Sequence, residues 1–159
     1  MLKEKAIHNL LRILLLCSFY IPSISGATTS ARSSEAPGCV RAAGAVLGER
    51  SEFGYTHLTC RDHELITFEK FIGPIKIRNI QVIDELRLPK PRRGYELIPH
   101  LFCSSSAYKS DPIIALGRWK KVIDGYEVKN IQQAWRFNLR MGQIDKIPPH
   151  TVDCSSDDP

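Results

Sequence analysis

Hydrophobic and polar positions divide the chain into segments of contrasting period. The clearest is 135–141, where Trp135, Phe137, Leu139 and Met141 alternate with Arg136, Asn138 and Arg140. A period of two is that of a strand with one face on a core and the other toward water, so this segment is predicted as a strand that Gly142 closes. Ile144 and Ile147 suggest a last strand before Pro148-Pro149. Phe53, Tyr55 and the residues to Thr59 have the β-branched and aromatic character of a short strand ending at Cys60. Ile75, Ile77, Ile80, Val82 and Ile83 suggest another, with its alternation slipping near Asn79. Tyr95, Leu97 and Ile98, with Leu101, Phe102 and Cys103, read as a strand broken at Pro99.

Two segments show helical spacing instead. Asp62 offers an N-cap, Leu65, Phe68 and Ile72 recur on one face, and Gly73-Pro74 stops the run. In the second, Asp111 caps, Pro112 suits the first turn, Leu116, Trp119 and Ile123 share a face, and Gly125 ends it. The expectation is α+β: a small antiparallel sheet packed with one or two helices, in a single domain over 53–154. Before it, 28–52 reads as a flexible lead of small and polar residues, its part from Cys39 to Arg50 extended or loosely helical. Leu86 to Gly94 reads as a proline-bounded basic loop, and 155–159 as an acidic tail.

A chain of 159 residues suits one domain, and 43% hydrophobic with 25% charged residues excludes both a disordered tail and a multi-span membrane protein. At the N-terminus Lys3, Lys5 and Arg12 precede an apolar run from Ile13 to Ile21, followed by Pro22, Ser25, Gly26 and Ala27. That is the layout of a secretory signal peptide, and the run falls well short of the roughly 20 residues a bilayer span needs. The reading is therefore a leader over 1–27, an extracellular product and no membrane anchor. The leader would remove three of the 22 Lys/Arg and one of the 17 Asp/Glu, lowering the formal charge from +5 to +3. That is basic, but below the dense stripe of a strong polyphosphate binder.

Cys39, Cys60, Cys103 and Cys154 would then reach an oxidising compartment, where an even number of cysteines in a short chain implies two disulfides. Three pairings are open. The absence of any Cys-x-x-Cys, and the spacing of His57, His63, His100 and His150, argue against zinc, so no metal and no cofactor is expected.

The leader, Tyr55 and Cys60 ahead of the capped Glu64–Ile72 segment, the aromatic strands and the solitary Cys154 together resemble the ribonuclease-like secreted effector candidates of powdery-mildew fungi, over roughly Phe53 to Cys154. The resemblance implies a small α+β fold like that of guanyl-specific fungal ribonucleases, usually without their catalytic residues. It implies binding of host protein or RNA inside plant tissue; a monomer, secreted and acting extracellularly or within the host cell, is expected. It also favours pairing Cys60 with Cys154.

RNA cleavage through the 2′-hydroxyl needs a base, an acid and a cation for the phosphorane. His57, Glu96, Arg136 and His150 occur in an order compatible with that set. Lys90, Arg92, Arg93, Arg136 and Arg140 could meet phosphates, and Tyr95 and Trp135 could stack on bases. Alternation alone already demands polar residues at 136 and 140 and places Trp135 in the core; and because a chain with five His and many charged residues offers such an order by chance, a non-catalytic effector is preferred over an active ribonuclease. A third reading is a cytokine-like or defence precursor: Arg92-Arg93 is a dibasic site in an accessible loop, and a chain cut after Arg93 could stay joined by a disulfide.

Overall fold

The computed structural model describes residues 37–74 and 79–158; the leader, the start of the lead, and Ile75 and Ile77 of the anticipated strand lie outside them. Among the described residues the chain forms strands and two single turns of 3-10 helix, with no α-helix. Strands β1 (Val40–Leu47), β2 (Phe53–Thr59), β3 (His63–Ile72) and β4 (Asn79–Pro89) make one antiparallel sheet in chain order. Strands β5 (Glu96–Ile98), β6 (Cys103–Ser105), β7 (Ile113–Val122), β8 (Gly125–Asn138), β9 (Gln143–Ile147) and β10 (Val152–Ser156) make the second, ordered β5-β7-β8-β10-β6 with β9 also on β8. The long β8 serves two neighbours along one edge: Tyr126 and Glu127 pair with β10, and Ala134 to Asn138 with β9.

The α+β expectation is therefore corrected to two antiparallel sheets. Both predicted helices are strands; in the second, Leu116 packs on the core between the sheets, Trp119 on the opposite face, and Ile123 is fully exposed beyond the strand, so the three share no face. In β3 the six residues Glu64 to Glu69 are all buried, and in β7 Ile113, Ile114 and Ala115 are too. A strand covered on both faces loses its period of two, and its apolar run then matches helical spacing by accident. Asp62, taken as an N-cap, lies in the tight turn from β2 to β3, where the Cys60 N–H donates to the His63 carbonyl at 3.0 Å. β1 falls within the stretch read as a lead.

The sheets face each other across a core of Leu47, Tyr55, Ile66, Phe68 and Leu88 from the first, and Ile114, Trp135 and Phe137 from the second. Phe137 is fully buried, with ring centroids 5.0 Å from Tyr55 and 5.3 Å from Phe68. As the alternation predicts, Trp135 and Phe137 point inward, while Met141 beyond the strand end is exposed. A second cluster of Ile98, Ile113, Ala115, Val128, Ala134, Ile147 and Val152 covers the other face of the second sheet.

Each sheet carries its own disulfide. Cys39–Cys60 joins the open end of the β1–β2 hairpin, and Cys103–Cys154 joins residues directly opposite on β6 and β10. The Cys60–Cys154 pairing that the resemblance favoured is not formed; those residues belong to different sheets.

Between β7 and β8 the register slips. Leu116 pairs with Gln133 but Arg118 with Lys129, so Gly117 faces Asn130, Ile131 and Gln132. A Cβ on Gly117 would lie 2.2 Å from the Val128 side chain, and Asn130 has a φ of 54°. Such a bulge bends its strand and re-aims the neighbouring side chains, here Gln132 and Gln133.

Removing the Phe137 ring should cost about 3–5 kcal/mol, the usual range for emptying a fully buried aromatic site. Urea unfolding of Phe137→Ala is expected to show that loss, with Met141→Ala changed by less than about 0.5 kcal/mol. Equal effects in the two variants would contradict this packing.

Candidate functional site

Alternation along β2 and β3 puts Tyr55, His57 and Thr59, and Glu64, Ile66 and Phe68, on the face turned toward the second sheet. At one end of the interface that inner face stops being apolar. Thr59 stands directly opposite Glu64 in the ladder, with His57 on the diagonal. On the facing sheet the inward series Phe137, Trp135 continues to Gln133. Polar side chains at core-facing positions mark the place where the sheets part.

Glu64 is the centre of this group. Its residue is 6% exposed, yet both carboxylate oxygens have partners. Oε2 lies 2.9 Å from His57 Nε2 and accepts a hydrogen bond from Thr59 Oγ1 at 2.7 Å, while Oε1 lies 3.4 Å from Lys90 Nζ. Burial by itself would raise the Glu64 pKa; the Thr59 and His57 hydrogen bonds, with the charges of His57 and Lys90, outweigh it and hold the group below the ordinary glutamate value. Glu64 is thus an anion at neutral pH, suited to orient an imidazole and to attract cations rather than to donate a proton.

Two adjoining concavities, each of about 510 Å³, share Glu64, Pro91 and Leu97. One adds Lys90, Arg92, Gln132 and Gln133, and the other His57, Tyr95, Glu96 and Trp119. Their common lip is the loop from Pro89 to Tyr95. Arg118 fastens it, with Nε donating to the Gly94 carbonyl at 3.2 Å and its guanidinium 5.1 Å from the Tyr95 ring centroid. Deeper in, the His100 ring stands edge-on to Tyr55, with centroids 5.4 Å apart, and burial lowers the His100 pKa.

The residues proposed from sequence separate into groups. His57, Glu96, Tyr95, Lys90 and Arg92 line the cleft, and Arg93 is exposed on its lip. Arg136 leaves β8 on the face opposite Trp135 and Phe137. It bonds Asp111 (Nη1, 2.9 Å) and Asp145 (Nη2, 2.8 Å; Nε, 3.1 Å) and lies over Tyr108, 4.5 Å from the ring centroid. That network ties the 105–112 segment to the β8–β9 hairpin, so Arg136 is a structural cation. Arg140 borders a separate concavity with Leu47 and Phe53, and His150 is exposed in the 3-10 turn Pro149–Thr151. Trp135, offered as a stacking residue, is buried in the core.

Glu64, Thr59, Gln133 and Arg118 were not anticipated. The first two carried a readable signal, since Tyr55, His57 and Thr59 turn from apolar to polar at inward positions of one strand; Gln133 lies beyond a bulge that no local pattern shows. Among the described residues no group of three or more His, Cys, Asp or Glu could hold a metal ion. Comparison with known proteins identified no matching family, no matching curated protein and no matching solved structure.

Asp145 accepts from Asn138 and Gln143 as well as from Arg136. The Asn138 amide first, then Arg136 and Gln143, hold it below the usual carboxylate range against the effect of burial. Because the native pKa values of Glu64 and Asp145 are depressed, their stabilising contribution is complete above about pH 4–5 and is lost as pH falls through those native values. Urea unfolding midpoints should therefore drop on acidification below about pH 4. Asp145→Asn should lower the midpoint at neutral pH and reduce its further acid dependence; parallel pH curves for variant and parent would contradict the assignment.

Proposed function

We propose that this protein is exported and binds single-stranded RNA in the cleft between its two sheets. One juxtaposition carries the reading: Lys90 and Arg92 line a concavity adjoining the one that holds Tyr95. Cations that follow a phosphate backbone, beside an aromatic face on which a base can stack, are what a single strand requires. The formal charge of +3 left after removal of residues 1–27 adds a modest favourable long-range field. Export is supported by the composition of residues 1–27 and by two disulfides, which persist in oxidising compartments. The effector resemblance adds nothing to the choice of ligand, because the helices it called for are β3 and β7.

An enzymatic reading of the same cleft is favoured by the 2.9 Å contact between Glu64 and His57, a carboxylate holding an imidazole beside Glu96. In RNA transesterification the 2′-hydroxyl loses its proton to a base as its oxygen bonds phosphorus, and an acid protonates the departing 5′-oxygen. His57 and Glu96 would fill those roles. Since Arg136 and His150 stand outside the cleft, Lys90 or Arg92 would supply the cation.

Fluorescence anisotropy with a labelled single-stranded RNA, titrated across salt concentrations, tests binding. The double variant Lys90→Ala/Arg92→Ala should flatten the log K against log salt slope by about 1.4, as expected for losing two phosphate contacts. An unchanged slope, or no binding by the parent protein at low salt, would reject the RNA reading. Product analysis on the same RNA separates the two readings: a ribonuclease loses cleavage on His57→Ala while keeping affinity, whereas a binding protein leaves the RNA intact.

A further inference from the structure

We propose that the Arg93–Gly94 peptide bond is a processing site for a dibasic-specific endoprotease, and that the product is a two-chain protein held together by noncovalent contacts alone. Two adjacent pairs of basic residues occur in the described chain, and their settings differ. Lys120 and Lys121 are exposed but lie within β7, paired in the ladder with Glu127 and Tyr126. Arg92 and Arg93 lie in the connection between the sheets, where both are exposed.

An endoprotease needs an extended substrate segment, so local opening decides which pair it can cut. Arg92 to Tyr95 form a turn closed by one backbone hydrogen bond, Tyr95 N–H to the Arg92 carbonyl at 2.9 Å, with Gly94 at a φ of 81°. A positive φ at the third position of such a turn suits glycine, and it sets the scissile bond at the tip. A further tether on the turn's backbone is the Arg118 bond to the Gly94 carbonyl. Opening the turn gives up two hydrogen bonds that water replaces, whereas an extended segment around Lys121 forms only if the ladder pairs of Lys120, Lys121 and Val122 with Glu127, Tyr126 and Gly125 come apart. Hydrolysis adds hydroxide from water to the Arg93 carbonyl carbon and a proton to the Gly94 nitrogen, and the new carboxylate and ammonium both remain in solvent.

What happens next follows from the disulfides. Cys39–Cys60 lies wholly before the cut and Cys103–Cys154 wholly after it, so neither spans it. The expectation of a disulfide-joined product is thereby corrected. β1–β4 fall in one fragment and β5–β10 in the other, so the cut severs no strand. The fragments remain associated through Tyr55 and Phe68 against Phe137, and through the Ile144 N–H, which donates to Asp84 Oδ2 at 2.6 Å. This inference is independent of what the cleft binds.

Limited digestion of the disulfide-intact protein with a dibasic-specific endoprotease, followed by intact-mass measurement, tests it. The first cut is expected after Arg93, roughly tenfold or more ahead of Lys121, and Arg93→Gln should abolish it. The fragments should co-elute in native gel filtration and separate in denaturant without reductant. Cutting at Lys121 as early as at Arg93, resistance at Arg93 while the reduced, unfolded chain is digested there, or fragments that part under native conditions would each overturn the proposal.

Discussion

The constraint on which the cleft depends is an ionised carboxylate set between two sheets. A charge at a core-facing position is strongly unfavourable unless hydrogen bonds and opposite charges replace its water. Glu64 meets that demand with Thr59 opposite it, His57 on the diagonal, and Lys90 reaching in from the loop after β4. Each partner is thereby fixed in turn. The anion orients the imidazole and draws the Lys90 loop toward the gap between the sheets, where that loop becomes the lip of the concavity. An apolar residue at position 64 would let the sheets close over this end as they do around Phe137.

Beyond that end the architecture is one of two consecutive halves. Each sheet is assembled from its own stretch of chain and closed by its own disulfide, and they meet through packed side chains and the Ile144 N–H to Asp84 hydrogen bond. Local pairing of this kind keeps each half's hydrogen bonds independent of the other, so the association rests on apolar burial around Tyr55, Phe68 and Phe137, with Asp84 reaching across to β9. The Arg136 network performs a corresponding task within the second half, binding the 105–112 segment to the β8–β9 hairpin through two carboxylates.

How much of this could be read from the sequence depends on how many faces of each strand are covered. β2 was legible from its β-branched and aromatic residues, and the 135–138 part of β8 because tight inward residues alternate there with polar ones. β3, and β7 over Ile113 to Ala115, are buried on both sides and carried no such alternation, and β3 imitated a helix down to a plausible cap at Asp62. The disulfide pairing was illegible because it depends on register: Cys103 meets Cys154 only because β6 and β10 are neighbours. Residue chemistry found His57, Lys90, Arg92 and Tyr95, which share the cleft, but it could not exclude Arg136, whose side of β8 becomes evident only once Trp135 and Phe137 face the core. Glu64 escaped because a glutamate after Asp62 has a ready explanation in the first turn of a helix that does not form.

The most direct measurement is the titration of the Glu64 side-chain carboxyl, followed by carbon NMR in the native protein. With Thr59, His57 and Lys90 stabilising the anion, its midpoint should lie below the ordinary glutamate value of about 4.3, and should rise in His57→Ala. A midpoint at or above that value, unmoved by the His57 substitution, would show burial prevailing over the partners and would contradict the account of the cleft.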